Sequence, residues 1–204
     1  MTEDRFEDLI YGRLPHINPQ EWKRLFPEGN TWTYMEYLCP RLESAFGSVT
    51  LEREEFDTWW CLREVINDEI LFEMKRSRMT GERKESANVF GCIGLSQIDL
   101  SKRDVIITEG VSDYVMVKNI FKDDNVLGFT NLGGSALART TVISLFDEVL
   151  IVSDNDSGHD GGNVGLRTAR NLQSELKSHG LKAYVYIPET KDISRFIIDR
   201  YNIL

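Results

Sequence analysis

The sequence lacks several features that would place it in common functional classes. Its 204 residues include only three cysteines, Cys39, Cys61 and Cys92, and no two of them form a C-x-x-C pair. This spacing argues against a zinc ribbon and favours reduced thiols in the core of a cytosolic protein. No apolar run reaches membrane-spanning length, and residues 1–20 carry acids but no apolar signal core. We therefore expect a cytoplasmic protein without a membrane partner.

Positive charge is also scarce, because 24 lysines and arginines face 33 acids and the net charge is −9. This balance disfavours strong nonspecific DNA binding by the whole surface, but it is compatible with a local basic strip. Such a strip is present at Lys75, Arg76, Arg78, Arg83 and Lys84. It either contacts the phosphates of a template or an incoming nucleotide, or it is a solvated loop. The sequence gives the two interpretations equal weight.

The first hundred residues have no regular alternation of strands and helices. Residues 1–46 are expected to be mostly helical. Residues 57–66 and 69–75 are rich in β-branched and aromatic side chains, and the turn signal Asn67-Asp68 between them predicts a hairpin. A helix over residues 64–75 is the alternative.

The second half, in contrast, alternates between short apolar runs and amphipathic segments. Strands are predicted at 104–108, 126–129, 148–153 and 182–187. Helices are predicted at about 112–121, 140–146, 166–177 and from 193 onward. Strands that alternate with helices indicate a parallel sheet with right-handed crossovers. Two of the runs, 104–108 and 148–153, are apolar nearly throughout, as is typical of strands buried on both faces.

Acidic residues follow these two buried strands where each one ends. Glu109 closes the first run, and Asp154 and Asp156 follow the second. In open α/β sheets, ligands bind in the crevice outside the carboxyl ends of the strands. Carboxylates from two strands should therefore meet there, and a hard cation such as Mg²⁺ would relieve their repulsion.

Three phrases around these acids resemble the Toprim domain of bacterial-type primases, type IA and II topoisomerases and some nucleases. They are Ile106-Ile-Thr-Glu-Gly-Val-Ser-Asp113, Asn131-Leu-Gly-Gly134 and Val152-Ser-Asp-Asn-Asp156. The resemblance covers about residues 104–204. It implies an α/β fold in which a Rossmann-like parallel sheet carries helices on both faces. We expect this Toprim domain at 101–204, after a smaller α+β region at 1–100 that resembles a primase polymerase subdomain.

The resemblance also implies roles for individual acids. Glu109, Asp154 and Asp156 would be catalytic and would bind Mg²⁺ or Mn²⁺, with no zinc. Asp113 and Asp192 would be further metal ligands. Each of these two has a structural alternative: Asp113 could complement a helix dipole in the first turn, and Asp192 could be an N-cap.

On the substrate side, Gly133 and Gly134 match a loop near the active edge, and Lys191 precedes Asp192 as in many primases. The sequence departs from the family where D-x-D-x-A-G usually leads straight into a helix. Residues 157–165 instead form a longer glycine-rich loop, which either binds phosphate or is merely flexible. The sequence also contains neither a zinc-binding module nor a G-x-x-x-x-G-K-[ST] helicase signature.

The function implied by the resemblance is that of a compact primase-like nucleotidyltransferase of the phage or plasmid kind. Such an enzyme synthesises RNA primers from nucleoside triphosphates on a single-stranded DNA template, and a helicase or other replication proteins would be its partners. A metal-dependent nuclease is the first alternative, because the same acids could activate water. A noncatalytic nucleic-acid-binding module of the replication machinery is the second. The basic strip discriminates between the two enzymes, since polymerisation needs a triphosphate site.

Overall fold

A computed structural model describes residues 3–13, 49–53, 59–77, 83–87, 90–130, 132, 136–156 and 162–203. The first sheet has four strands, β1 (Val49–Arg53), β2 (Trp59–Ile66), β3 (Glu69–Ser77) and β4 (Arg83–Ala87). The second sheet has five strands, β5 (Cys92–Ile93), β6 (Asp104–Glu109), β7 (Val126–Phe129), β8 (Glu148–Val152) and β9 (Lys182–Tyr186). The helices are α1 (Glu3–Arg13), α2 (Val111–Ile120), α3 (Ala136–Ile143), α4 (Val164–Ser178) and α5 (Ile193–Ile203).

The five-stranded sheet has the order β5-β7-β6-β8-β9. Strands β7, β6, β8 and β9 run parallel, and β5 pairs antiparallel with β7. The chain passes from β6 to β7 on one side, and then returns to β8 and β9 on the other. The strand order therefore reverses between β6 and β8, where open α/β sheets bind their ligands.

The two central strands are buried on both faces, which explains their apolar sequences. Ile106 of β6 packs with residues of α1, α2 and α5, whereas Val105 and Ile107 pack with residues of α3 and α4. Because successive side chains of a strand lie on opposite faces, this division places helices on both sides of the sheet. The predicted α/β fold class is confirmed.

The N-terminal part of the chain closes one of these faces. Phe6 of α1 stacks on Phe121 with a centroid distance of 5.1 Å and meets Tyr186 edge-on at 5.0 Å. Glu64 of β2 is fully buried, and its carboxylate accepts hydrogen bonds from the backbone N–H groups of Gly94 and Ser96 at 2.9 and 2.7 Å. The four-stranded sheet is thereby joined to the turn after β5.

Most predicted elements of the second half agree with the structure within two residues. The exception is α3, predicted at 140–146 and found at Ala136–Ile143. Ala136, Leu137 and Ala138 are strong helix formers, whereas the β-branched Thr140 and Thr141 are weaker, so the helix begins earlier.

The predicted hairpin is confirmed as β2 and β3, which pair antiparallel. Asn67 and Asp68 have φ values of 51° and 65°, which suits a tight turn that needs positive φ at both central positions. The helical alternative over residues 64–75 is therefore wrong. The helices expected between residues 14 and 46 lie outside the described residues.

The predicted division at residue 100 stays a prediction, although β5 already belongs to the five-stranded sheet. None of the helices in the described ranges is long and apolar enough to cross a membrane.

Candidate active site

The first acid of the candidate site lies where β6 turns into α2. Gly110 adopts φ 93° and ψ 161°, a conformation that L side chains rarely adopt, and its N–H donates to the Phe129 carbonyl at 2.7 Å. The chain therefore leaves the sheet at once, and α2 begins at Val111. Glu109 is the last residue of β6 and stands at the carboxyl edge of the sheet.

The other two acids lie in the extended segment that follows β8. The Ser153 N–H donates to the Tyr186 carbonyl at 3.1 Å, so the ladder with β9 continues one residue beyond the strand. A Cβ atom on Gly165 would lie 2.5 Å from the Asp154 carbonyl oxygen. Only glycine therefore allows the first turn of α4 to pack against this segment. Asp154 and Asp156 remain partly exposed at the same edge as Glu109.

These acids interact mainly with one another. Burial, the largest cause, and the charges of Glu109, Asp192 and Asp156 together raise the pKa of Asp154 from 3.8 to about 7. Nearby Lys191 lowers the pKa of Asp154 in part. Burial, and then Asp156, also raises the pKa of Glu109. The edge therefore carries more negative charge than its neighbours compensate.

Glu109 has a further unusual property, since its Oε2 atom is buried without a hydrogen-bond partner among the described residues. A buried carboxylate oxygen without a partner is costly, and such atoms often mark a missing ligand or ion. The carboxyl group that carries this atom is also the one whose pKa the charge of Asp156 helps to raise.

Asp113 connects α2 to α5. Its side chain is 4% exposed, and its Oδ1 atom accepts hydrogen bonds from the N–H of Ser194 at 3.1 Å and from the Ser194 hydroxyl. Burial raises the pKa of Asp113 well above its usual range, and the charges of Asp154 and Asp192 add to the shift. Asp113, which is in the first turn of α2, thus lies close to the acids of the candidate site. Its role as a metal ligand stays a prediction.

The residues before α5 approach the acids from the side of β9. Asp192 accepts a hydrogen bond from the Arg195 N–H at 2.6 Å, as an N-cap does, and it interacts electrostatically with Asp154. Lys191 is exposed, and its carbonyl accepts from the Asn155 N–H at 2.6 Å. The structure therefore brings Lys191 and Asp192 to the acidic edge.

Two asparagines of this edge were absent from the predicted site. Asn163 is the N-cap of α4 and accepts from the Leu166 N–H at 2.9 Å. Its residue type directly before an amphipathic helix could have revealed it. Asn155, which bonds to Asn163, stands between two aspartates and gave no such signal.

The basic strip is largely on strands. In the register of β3 and β4, Lys75 is opposite Lys84 and Arg76 is opposite Arg83. Lys75 lies 3.9 Å from Glu73, and Lys84 is exposed. Arg78 lies outside the described residues, as do Gly133 and Gly134, and the binding roles of the whole set stay predictions.

No family model and no curated protein matches the chain. Solved structures do match. The primase fragment of the bacteriophage T7 primase-helicase protein aligns at 13% identity with a TM-score of 0.60, over 79% of this chain and 65% of that chain. A DnaG catalytic core aligns at 12% identity with a TM-score of 0.58, over 95% of this chain and 76% of that chain.

A third match, the DnaG primase catalytic domain bound to single-stranded DNA, aligns at 13% identity with a TM-score of 0.53. It covers 96% of this chain and 65% of that chain. The chain has the fold of a primase catalytic core. At these identities the likeness concerns the fold alone.

The acids of this primase-type fold suit a hard divalent cation in their chemistry. Carboxylate oxygens are its preferred ligands, Oε2 of Glu109 is buried without a partner among the described residues, and a cation would stabilise the ionised form of Asp154 that burial and like charges disfavour. Within the described ranges, no three acidic, histidine or cysteine side chains form a ready-made metal cluster. Mg²⁺ is commonly held by one or two carboxylates together with water and substrate phosphates, so a complete protein cage is not required.

Proposed function

We propose that the chain is a primase-like nucleotidyltransferase that synthesises RNA primers on single-stranded DNA, and that residues 101–204 are a Toprim domain. One observation carries the proposal. Glu109, Asp154 and Asp156 meet at the edge of the sheet where the strand order reverses, in a fold shared with primase catalytic cores. Their carboxylates give this edge a negative charge, and a divalent cation would relieve the repulsion between them.

In this proposal Glu109, Asp154 and Asp156 hold Mg²⁺ or Mn²⁺, with Asp192 and Asp113 close by. When bound, the ions supply charge neutralisation at the transferred phosphoryl group and lower the pKa of the attacking 3′-hydroxyl. Lys191 is an exposed cation beside these acids and would bind the triphosphate of the incoming nucleotide. The acids contribute fixed negative charge that orients the ions.

The proposed template is single-stranded DNA, the ligand with which one structurally similar DnaG domain is described. The T7 relative is part of a primase-helicase protein. We infer that a helicase or another replication protein provides unwinding for this chain as well.

The decisive experiment incubates the protein with single-stranded DNA, labelled ribonucleotides and Mg²⁺ or Mn²⁺, and scores primer synthesis and DNA cleavage together. We expect oligoribonucleotide products from the wild type and roughly 100- to 1000-fold fewer from Asp154→Asn. Asp147→Asn makes the same change of charge after α3, at the amino edge of the sheet, and should behave as the wild type. Cleavage without synthesis would assign the site to a nuclease. Binding without either reaction would assign it to a noncatalytic module.

The basic strip can be tested separately, through the pair Lys75 and Lys84 on β3 and β4. Alanine at both positions should weaken binding of single-stranded DNA or nucleotide more at low salt than at high salt, because contacts to phosphate release counterions. Alanine at Lys122 and Lys177, two exposed lysines elsewhere, removes the same charge and is the matched control. Equal effects of the two double variants would indicate that the strip is a solvated surface and does not contact phosphate.

A further inference from the structure

Three elements of the acidic edge meet at Asn155, the residue between Asp154 and Asp156. Its backbone N–H donates to the Lys191 carbonyl at 2.6 Å. Its Nδ2 donates to the Pro188 carbonyl at 3.1 Å, and its Oδ1 accepts from Asn163 Nδ2 at 3.0 Å. Backbone and side chain together tie the acidic segment to the β9–α5 connection and to the start of α4.

Asn163 extends this connection to Asp156. The Oδ1 atom of Asn163 accepts from the N–H of Leu166, which caps α4, and also from the N–H of Asp156 at 3.3 Å. One side-chain amide therefore holds a helix end, the Asn155 side chain and the Asp156 backbone. Gly165 allows this arrangement, since any Cβ there would collide with the Asp154 carbonyl.

The arrangement opposes the electrostatics of the site. Asp154 and Asp156 are two residues apart at one edge of the sheet and lie near Glu109 and Asp192, so their like charges repel and an unrestrained segment would relax by moving them apart. The hydrogen bonds of the Asn155 side chain to Pro188 and Asn163 resist that movement. Only a side chain that donates and accepts at once can make both bonds, so aspartate or alanine at position 155 could not replace the asparagine.

We infer that Asn155 is a positioning residue, which acts through Asn163 and the Pro188–Lys191 connection to hold Asp154 and Asp156 in the geometry that binds a divalent cation. Its consequence for catalysis rests on the proposed function. The effect on cation binding and on backbone protection does not. Removing a residue that orients a metal ligand typically lowers metal affinity or activity roughly 10- to 100-fold.

Two variants separate this role from helix capping. Asn155→Ala removes both side-chain bonds of the positioning residue. Asn163→Ser keeps an N-cap of a favoured type for α4 but loses the bond to Asn155, together with the amide oxygen that accepts from the Asp156 N–H. The control is Asn125→Ala, because Asn125 is also buried and bonds through its side chain to Asp99, Lys102 and Asp104 at the amino edge.

Three readouts are measured under conditions where every variant is folded: hydrogen exchange of the Asp156 amide, affinity for Mn²⁺, and kcat and KM of primer synthesis. We expect Asn155→Ala and Asn163→Ser to expose the Asp156 amide to faster exchange. Mn²⁺ affinity should fall roughly 10- to 100-fold in Asn155→Ala. The synthesis defect should be mainly in kcat. Asn125→Ala should lower stability yet leave exchange at Asp156 and Mn²⁺ affinity unchanged.

The inference is overturned if Asn155→Ala keeps wild-type exchange at Asp156, or if it keeps wild-type Mn²⁺ affinity. It is equally overturned if Asn125→Ala causes the same losses, because the effect would then be general destabilisation. A wild type that makes no primers, while Asn155→Ala still loses Mn²⁺ affinity and protection at Asp156, would reject the proposed function and support the positioning role. Should Asn155→Ala fail to fold, Asn163→Ser decides by its affinity for Mn²⁺, which should fall as well, because its faster exchange at Asp156 also reflects the direct loss of that amide's acceptor.

Discussion

Acidic side chains have different neighbours at the two edges of the five-stranded sheet. At the amino edge, acids face cations: Arg103 Nη2 lies 2.9 Å from Asp147, and Lys182 Nζ lies 3.0 Å from Glu148. At the carboxyl edge, Glu109, Asp154 and Asp156 mainly face one another. A hydrogen bond from Arg103 lowers the pKa of Asp147, whereas burial and neighbouring carboxylates raise that of Asp154 to about 7.

This contrast indicates what each edge contributes. Paired surface charges are compatible with folding and need no ligand to balance them. Repelling acids at a strand-order reversal oppose folding, so their presence favours a functional role. The amino edge therefore acts as a reference for the carboxyl edge.

The largest expected difference is in activity. Asp154→Asn keeps the shape of the side chain but removes one charge, so primer synthesis should fall roughly 100- to 1000-fold, the usual cost of losing one strong electrostatic contact to the transition state. Asp147→Asn should synthesise primers at the wild-type rate. Steady-state rates at saturating Mg²⁺ measure both. A fully active Asp154→Asn would remove the catalytic distinction between the edges.

Asp113 provides a test of buried structure beside the acids. Asp113→Ala leaves the N–H and hydroxyl of Ser194 without their acceptor, which should lower the free energy of unfolding by about 1–3 kcal/mol. Asp113→Asn retains an acceptor oxygen and should stay close to the wild type in urea unfolding. If Asp113→Asn were as unstable as Asp113→Ala, the negative charge itself would be needed, in conflict with its repulsion by Asp154 and Asp192.

The raised pKa of Asp154 predicts an effect of pH on the metal-free protein. Since the folded state holds this proton up to about pH 7 and the ordinary value is 3.8, the folded state binds more protons than the unfolded state between these values. The contribution of Asp154 to stability should therefore fall as pH rises from about 4 to 7. Unfolding in EDTA across this range measures it, and Asp154→Asn should show a smaller decline. Identical pH profiles of wild type and variant would contradict the assignment.

The sequence predicted the acids of the carboxyl edge for a physical reason. A strand buried on both faces must be apolar, so the polar residues that end β6 and β8 were visible against an apolar background. Parallel pairing then required Glu109 and Asp154 to share an edge. The resemblance to Toprim domains supplied Lys191 and Asp192, which the structure also places there.

Other features depended on contacts that no local pattern encodes. Asn155 bonds to residues 8 and 33 positions away, and only the assembled loops bring those partners together. The bond from Ser194 to Asp113 spans 81 positions. The basic residues read as one strip in sequence, yet strand pairing arranged Lys75 with Lys84 and Arg76 with Arg83.

The smallest expected effect concerns the ion pair of Arg103 and Asp147 at the amino edge. Both side chains are more than half exposed, at 57% and 62%, so water and salt screen their attraction, and such pairs contribute little to stability. Asp147→Asn should therefore leave the midpoint of urea unfolding nearly unchanged, and the small remaining difference should vanish at high salt.

Asp154→Asn, in metal-free buffer, should keep or slightly raise the midpoint, because it relieves repulsion at a partly buried site. Added Mn²⁺ should then stabilise Asp147→Asn as it does the wild type, but stabilise Asp154→Asn less. Equal stabilisation of the two variants by Mn²⁺ would show that the cation does not distinguish the edges.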